Sequence, residues 1–331
     1  MKLGLAILGA SNVASRYIKI CRNLPEIAVV GIYSESPKRA ADFAAQHRLS
    51  IGTSNLSELL DHPAIDCVLV ATEPERHLKL ALYSLQRGKH TLIEKPLSSD
   101  LNGAVHFLKE MRNHKFVCSV VSQKRFDPNL LLMKQEIEKW ENEPNFITLE
   151  DFRFRDQNYY EAGSGWRKFG SHYFLNQGIH WLDVILWFFG KPVSVDALPV
   201  PNRRSLGCSD RSIAILRWDN GSVASIMGGS FSRSNTIEKF TVHSRIGRVT
   251  NQDGSRAISK TSQHVLSSLW RYLPLSSRTP SLLESQLLDF FSAIRDQRAP
   301  KTTVESAVRS MELGLAVHGI LNYEATDLKS E

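Results

Sequence analysis

The chain has 331 residues, 42% of them hydrophobic, 23% charged and 9% aromatic, a globular composition that excludes general disorder, a fibrous repeat and a small disulfide-stapled module. Its 41 Lys and Arg against 34 Asp and Glu give a net charge of +7. The basic residues are scattered in pairs such as Lys38-Arg39, Lys124-Arg125 and Arg203-Arg204, without the tail or finger spacing of a nucleic-acid binder.

Lys2 and the apolar run 3–10 have the outline of a short signal peptide, but the glycine turn and helical pattern that follow favour a buried first strand. No apolar run reaches the 18 or so residues of a membrane span. Cys21, Cys67, Cys118 and Cys208 lie far apart without C-x-x-C spacing, which points to free thiols in a reducing, cytoplasmic setting.

From residue 3 to about 120, apolar runs at 3–8, 28–33, 67–71, 91–93 and 116–121 alternate with helical stretches at 13–23, 38–46, 56–60, 76–87 and 101–113. Strands alternating with helices predict a doubly wound parallel sheet covered on both faces. Residues 1–122 are therefore expected to form one α/β domain. Beyond 122 the rhythm changes: strands are predicted at 147–154, 194–198, 212–218 and 222–228. Asp219-Asn220-Gly221 between the last two carries a type I′ hairpin signature, which makes the pairing antiparallel. Residues 251–280 are polar with little periodicity and read as an extended excursion. Leu283, Leu287, Phe290, Phe291 and Ile294 recur at helical spacing, and Thr302-x-x-Glu305 reads as a capping box opening a helix to about 323. A second, α+β domain with an open, largely antiparallel sheet is thus expected over 123–331.

The first strand runs into Gly9-Ala10-Ser11-Asn12-Val13-Ala14 and then a helix. A dinucleotide-binding turn needs a glycine for the bend, a small residue where the backbone approaches the pyrophosphate, and a small residue for helix packing; Gly9, Ser11 and Ala14 fill these places. Asn12 and Val13 open the helix whose N-terminus faces the anion. The second strand ends at Ser34-Glu35. Serine in place of aspartate, with Lys38 and Arg39 nearby, favours NADP over NAD, and Glu35 argues the other way.

Glu94-Lys95-Pro96 follows the strand at 91–93, at the carboxyl edge where doubly wound sheets bind ligands. The stretch 172–189 is apolar nearly all round, which predicts a buried helix. Asn176, His180 and Asp183 then form a polar stripe at i, i+4 and i+7, and such a stripe must meet hydrogen-bonding groups or line a cavity. Arg153 and Arg155 share one strand face and face either a carboxylate or nucleotide diphosphate or, alternatively, solvent.

The N-terminal turn, Ala71-Thr72-Glu73-Pro74 with His77, Gly88-Lys89-His90, Glu94-Lys95-Pro96, Arg125-Phe126-Asp127-Pro128, Trp166-Arg167 and Asn176-Gln177-Gly178-Ile179-His180 fall in the order of the glucose–fructose oxidoreductase / inositol dehydrogenase / rhizopine-catabolism (Gfo/Idh/MocA) family, which the chain resembles over almost its whole length. The resemblance implies a Rossmann domain binding NADP or NAD, and a C-terminal domain whose open sheet mediates a homodimer or homotetramer. It also implies oxidation or reduction at a carbinol or keto carbon of a sugar, a sugar derivative, nucleotide-linked ones included, or a cyclitol. Carried over by position, Lys95 is the catalytic lysine, His180 the proton carrier, and Asn176 stands where many members have aspartate. Glu94, Lys95, Trp166, Arg167, Thr72 and His77 join the cofactor set. Arg125, His172 and Gln177 join Lys95, Asn176 and His180 around substrate. No metal, nucleic acid or membrane partner is implied. Two departures stand out: Gly170-Ser171-His172 replaces a glycine triplet, and Asn176 cannot act as a base, so proton transfer falls on His180 and Lys95. Two alternatives from the same family are a non-enzymatic dinucleotide-binding regulator and an NAD-dependent glycosidase.

Overall fold

The computed structural model describes residues 2–140, 143–162, 165–168, 172–198, 200, 206–232, 236–260 and 280–323. The chain divides into two compact units, Met1–Ser122 with Leu283–Val308, and Gln123–Leu282 with Arg309–Glu331.

The first unit is built on six strands: β1 (Leu3–Leu8), β2 (Ile27–Tyr33), β3 (Ile51–Thr53), β4 (Cys67–Val70), β5 (His90–Ile93) and β6 (Cys118–Val120). They run parallel in the order β3-β2-β1-β4-β5-β6. Central β1 and β4 are apolar on both faces, and Leu5 to Leu8 and Cys67 to Val70 are each at most 1% exposed, as a sheet covered on both sides requires. Strand order reverses between β1 and β4, which opens a crevice at their carboxyl ends. The helices start on side-chain caps: Ser11 Oγ accepts from the Ala14 amide, Ser36 Oγ from that of Arg39, and Asp100 from those of Asn102 and Gly103, each meeting donors that a helix start leaves without partners.

Helix Leu282–Arg295 places Leu283, Leu287, Phe290 and Phe291 in the same core as Leu5, Ile7 and Leu92. The expected uninterrupted second domain over 123–331 is therefore corrected: 283–308 returns to the first unit. The helical stripe showed that this helix is buried, not against which sheet.

The second unit holds β7 (Phe146–Phe152), β8 (Ser194–Leu198), β9 (Arg211–Arg217), β10 (Val223–Gly229), β11 (Ile237–His243), β12 (Gly247–Gln252) and β13 (Ser255–Lys260), in the order β13-β12-β11-β7-β10-β9-β8. All pairs are antiparallel except β10 with β7. One face packs Ile147, Leu149, Ile226 and Phe240 against Trp181, Leu182 and Ile185 of helix Ile179–Phe189; the alternation of buried and open positions along β7, β9 and β10 follows from having only one face covered.

Four local expectations change. The β9–β10 hairpin closes through Gly221 N to Trp218 O and Trp218 N to Ser222 O, both 3.0 Å, with only Gly221 of the turn residues at positive φ (+82°); this is a type I turn with a glycine bulge rather than type I′. Part of the expected excursion at 251–280 is strand β13, and 261–279 lies outside the described residues. The C-terminal helix is Val304–Val317, capped one residue later than expected: Thr303 Oγ1 accepts from the Ser306 amide at 3.1 Å, and Thr302 is buried. The helix predicted over 172–189 is two, Tyr173–Asn176 and Ile179–Phe189, parted at Gln177-Gly178.

Candidate active site

In the first unit the glycine turn forms as the spacing requires. Gly9 has φ +118°, a conformation that disfavours any side chain, and a Cβ there would lie 2.6 Å from the Ala71 carbonyl oxygen. A cleft of about 340 Å³ opens beside it, lined by Gly9, Ser11, Ser34, Arg39, Thr72 and Arg76 among others. It lies at the crevice where the strand order reverses and a helix begins, the arrangement that receives a dinucleotide pyrophosphate. A backbone cradle that a Cβ would fill, together with cationic side chains at its far end, fits a nicotinamide dinucleotide.

Within this cleft several residues take parts other than those expected. The Ser11 hydroxyl caps its own helix at 3.3 Å from the Ala14 amide and faces the Ala71 carbonyl at 3.5 Å, so the turn offers backbone amides to an anion more than this hydroxyl. Asn12 and Val13 are exposed on the first helical turn. Glu35 forms an ion pair with Arg76. Arg39 lines the cleft; Lys38, exposed on helix Pro37–Gln46, does not. Sequence reasoning missed Arg76, whose signal was its place in the first turn of helix Pro74–Gln86.

Lys95 extends from the carboxyl end of β5, the same sheet edge as the glycine turn. Glu94 is engaged inside the protein: the Tyr17 hydroxyl donates to Oε1 at 2.7 Å and the Lys95 amide to Oε2 at 2.9 Å. His77 is buried, with Nδ1 2.9 Å from the Pro96 carbonyl oxygen and Nε2 3.0 Å from that of Thr72. It braces the loop after β4 against the loop after β5, a supporting place rather than the expected cofactor contact. Burial pushes its pKa below the ordinary imidazole value, against the pull of those carbonyls.

In the second unit, Asn176 and Gln177 converge on one hydroxyl. Their amide nitrogens stand 3.0 and 2.6 Å from Tyr159 Oη, and Arg155 donates to Gln177 Oε1 at 2.8 Å. The Arg155 and Arg167 guanidiniums lie 5.1 and 5.0 Å from the Tyr159 ring centre, and Arg167 also stacks 4.6 Å from Trp166. Tyr159 was not singled out from sequence; nothing in its local pattern marks it as the centre of this cluster. His180 sits in the first turn of helix Ile179–Phe189 and is 9% exposed. The break at Gly178 leaves Asn176 off that helix, so the expected three-residue stripe reduces to His180 and Asp183.

Asp183 receives Arg125 through two bonds, Nε to Oδ2 at 2.8 Å and Nη2 to Oδ1 at 2.7 Å. The structure thus spends Arg125, expected on substrate, on a buried ion pair. Arg153 is likewise committed, to Asp151 at 3.1 Å and to Glu238, which Lys124 also binds at 2.7 Å. Burial lifts the Asp151 pKa to about 6. His172 Nδ1 accepts from the Ser209 amide at 3.1 Å and the ring lies 5.0 Å from that of His318; Gly170 and Ser171 lie outside the described residues.

Residues 3–122 match the GFO_IDH_MocA oxidoreductase family, NAD-binding Rossmann fold, and residues 143–318 match its C-terminal alpha/beta domain. Among curated relatives, 4-carboxy-2-hydroxymuconate-6-semialdehyde dehydrogenase of Sphingobium sp. is 25% identical over 223 residues, 67% of this chain and 70% of that protein. Matches to other curated relatives span between 41% and 94% of their length. Among solved structures, the WlbA dehydrogenase from Bordetella pertussis, in complex with NADH and UDP-GlcNAcA, superposes with a TM-score of 0.83 at 22% identity, covering 97% of this chain and 96% of that one. A levoglucosan dehydrogenase in complex with NADH and levoglucosan gives 0.84 at 18% identity, with 97% of each chain covered. Such identities speak for the fold. With both halves matched by the family's own models, the chain belongs to the Gfo/Idh/MocA oxidoreductase family and is an NAD(P)-dependent oxidoreductase.

Proposed function

We propose that this chain exchanges a hydride between a nicotinamide dinucleotide, NADP in preference to NAD, and a carbinol or keto carbon of a sugar, a sugar derivative or a cyclitol, with Lys95 and His180 as its catalytic groups. The observation that carries this reading is Lys95 at the carboxyl end of β5, anchored through Glu94 and Tyr17, on the same sheet edge as the Gly9 cradle. A nicotinamide bound there supplies or accepts the hydride. The Lys95 ammonium stabilises charge developing on the substrate oxygen. His180 takes or returns the hydroxyl proton as the general acid–base group. Asn176, held by Tyr159, orients a substrate hydroxyl because a carboxamide has no basic site to offer.

The preference for NADP is supported by Ser34, Arg39 and Arg76 on the cleft lining, where a 2′-phosphate finds hydroxyl and guanidinium donors. A homo-oligomer through the open face of the seven-stranded sheet is supported by Phe146, Ile213 and Ile237, 55, 36 and 36% exposed on that one face. No helix of the described residues is long and apolar enough to cross a membrane, and all four cysteines are buried thiols; a cytoplasmic enzyme accords with both.

The test is a panel of sugars, sugar acids, nucleotide sugars and cyclitols offered with NADP⁺ or NAD⁺ and followed at the nicotinamide absorbance. Turnover of at least one, faster with NADP⁺, is expected. Tight dinucleotide binding with no turnover of any panel member would favour the regulator reading instead.

A further inference from the structure

At the sheet edge opposite the glycine turn, the amino ends of β5 and β6 open onto a second cleft, of about 750 Å³, a size within the range of small-molecule sites. One wall comes from helix Leu101–Met111, the other from residues 294–305, which return to this unit. Met111, Phe116, Ile294, Pro300 and Val304 make the walls apolar. Arg112 and Lys115 stand on its rim, both exposed, and neither has an acidic partner among the described residues. Of the other charged lining residues, Arg298 donates to Asp289 at 2.8 Å and Glu305 contributes one carboxylate.

The cleft is preformed. Asp289 also accepts from the Lys301 amide at 2.8 Å, Thr302 Oγ1 lies 2.9 Å from Ser119 Oγ and 3.0 Å from Gln286 Nε2, and Gln286 further bonds the Val120 carbonyl and the Ser122 amide, both at 3.0 Å. These buried bonds tie the 298–302 wall to β6, so little ordering entropy remains to be lost on binding. On the other side His90 Nδ1 accepts from the Val117 amide at 2.9 Å, which leaves the neutral ring its proton on Nε2, and Phe116 packs edge-on to it, centres 5.4 Å apart.

We propose that this cleft is a second ligand site, for an amphipathic organic anion: an aromatic or branched aliphatic body bearing one carboxylate or sulfonate. The apolar walls take the body, Arg112 and Lys115 take the anionic group, and His90 supplies a neutral donor. Glu305 on the same lining disfavours a second negative charge. None of these residues belongs to the dinucleotide cleft or the Asn176–His180 cluster, so the assignment stands apart from the oxidoreductase reading.

The probe is 8-anilinonaphthalene-1-sulfonate, titrated by fluorescence into the full chain saturated with NADP⁺, which is not itself fluorescent and keeps the other cleft filled. Saturable binding is expected to persist, to weaken by about tenfold or more in Arg112→Glu/Lys115→Glu, by a smaller factor in the stem-preserving Arg112→Gln/Lys115→Gln, and to be unchanged in Lys79→Glu, an exposed charge off the cleft. Loss of all saturable binding when NADP⁺ is present, or equal affinity in wild type and both double variants, would overturn the assignment.

Discussion

Tyr17 and Glu94 are bonded across 77 positions of sequence, hydroxyl to Oε1 at 2.7 Å. Because the second oxygen of Glu94 holds the Lys95 amide at 2.9 Å, the phenol of the first helix fixes the backbone from which Lys95, the proposed catalytic lysine, projects. Burial and the neighbouring Glu94 charge push the Tyr17 pKa well above its ordinary value, so the hydroxyl stays protonated as a donor.

Tyr17→Phe removes that donor with little change of shape. It should cost about 1.5–3 kcal/mol of stability, the worth of a hydrogen bond to a charged group, and lower kcat several-fold while leaving dinucleotide affinity within about a factor of two. Unfolding midpoints, kinetics and NADPH titration read the three effects separately. An unchanged kcat would remove Glu94 and Tyr17 from the positioning of Lys95.

Ser11→Leu tests the cradle. The bulkier chain obstructs the backbone approach beside Gly9 and takes away the cap on helix Asn12–Cys21, so NADPH affinity should fall at least about tenfold, or 1.4 kcal/mol. Arg39→Ala should weaken NADPH more than NADH, because only the former carries the 2′-phosphate. Equal losses for the two dinucleotides would contradict the placement of that phosphate.

Asp183→Asn leaves the Arg125 guanidinium buried without its counter-charge. The expected cost is about 3 kcal/mol of stability, seen as a lower unfolding midpoint, with KM of the folded enzyme within about threefold. Were Arg125 instead a substrate ligand, Arg125→Ala would raise KM about tenfold or more and spare stability.

Much of this could be read from the chain, and what could not has identifiable causes. β1, β4 and β5 were readable because strands covered on both faces become continuous apolar runs, and the turn after β1 because glycine and small residues there answer a steric demand. β3, β11 and β12 left little signal: Ile51–Thr53 is three residues with a glycine at its centre, and Ile237–His243 and Gly247–Gln252 carry polar residues toward the open face. The break at Gly178 hid inside an unbroken apolar stretch; a Cβ at Gly178 would lie 2.4 Å from the Phe174 ring four residues earlier, a side-chain clash that apolar periodicity does not register. Partner choice was the least accessible. That Arg125 meets Asp183, 58 positions away, or that Asn176 and Gln177 share Tyr159, is decided by packing that no local spacing records.

Acid should destabilise the second unit through His318. Burial holds its pKa at about 3, below the ordinary 6.5, while Nε2 accepts from the Phe174 amide at 3.0 Å. With the folded pKa depressed, the unfolded chain takes the proton first as pH falls. Stability is therefore complete above pH 6.5 and declines from there toward pH 3, at up to about 1.4 kcal/mol per pH unit. His318→Gln, which keeps a neutral acceptor, should flatten that part of the profile in urea unfolding at pH 7, 6 and 5. A profile identical to wild type would show that His318 does not carry the acid sensitivity.

The proposed reaction is hydride transfer at a carbon whose oxygen is served by Lys95 and His180. The most direct measurement uses a turned-over substrate deuterated at the reacting carbon, with mass spectrometry of the recovered dinucleotide, in wild type, Lys95→Met and His180→Ala. Wild type should deliver one deuterium per turnover to the nicotinamide. Each variant should retain dinucleotide affinity while its rate falls by about 10²–10⁴, and the double variant should lose less than the sum of the two effects in free energy. Product formed without deuterium reaching the nicotinamide, or either variant working at the wild-type rate, would contradict it.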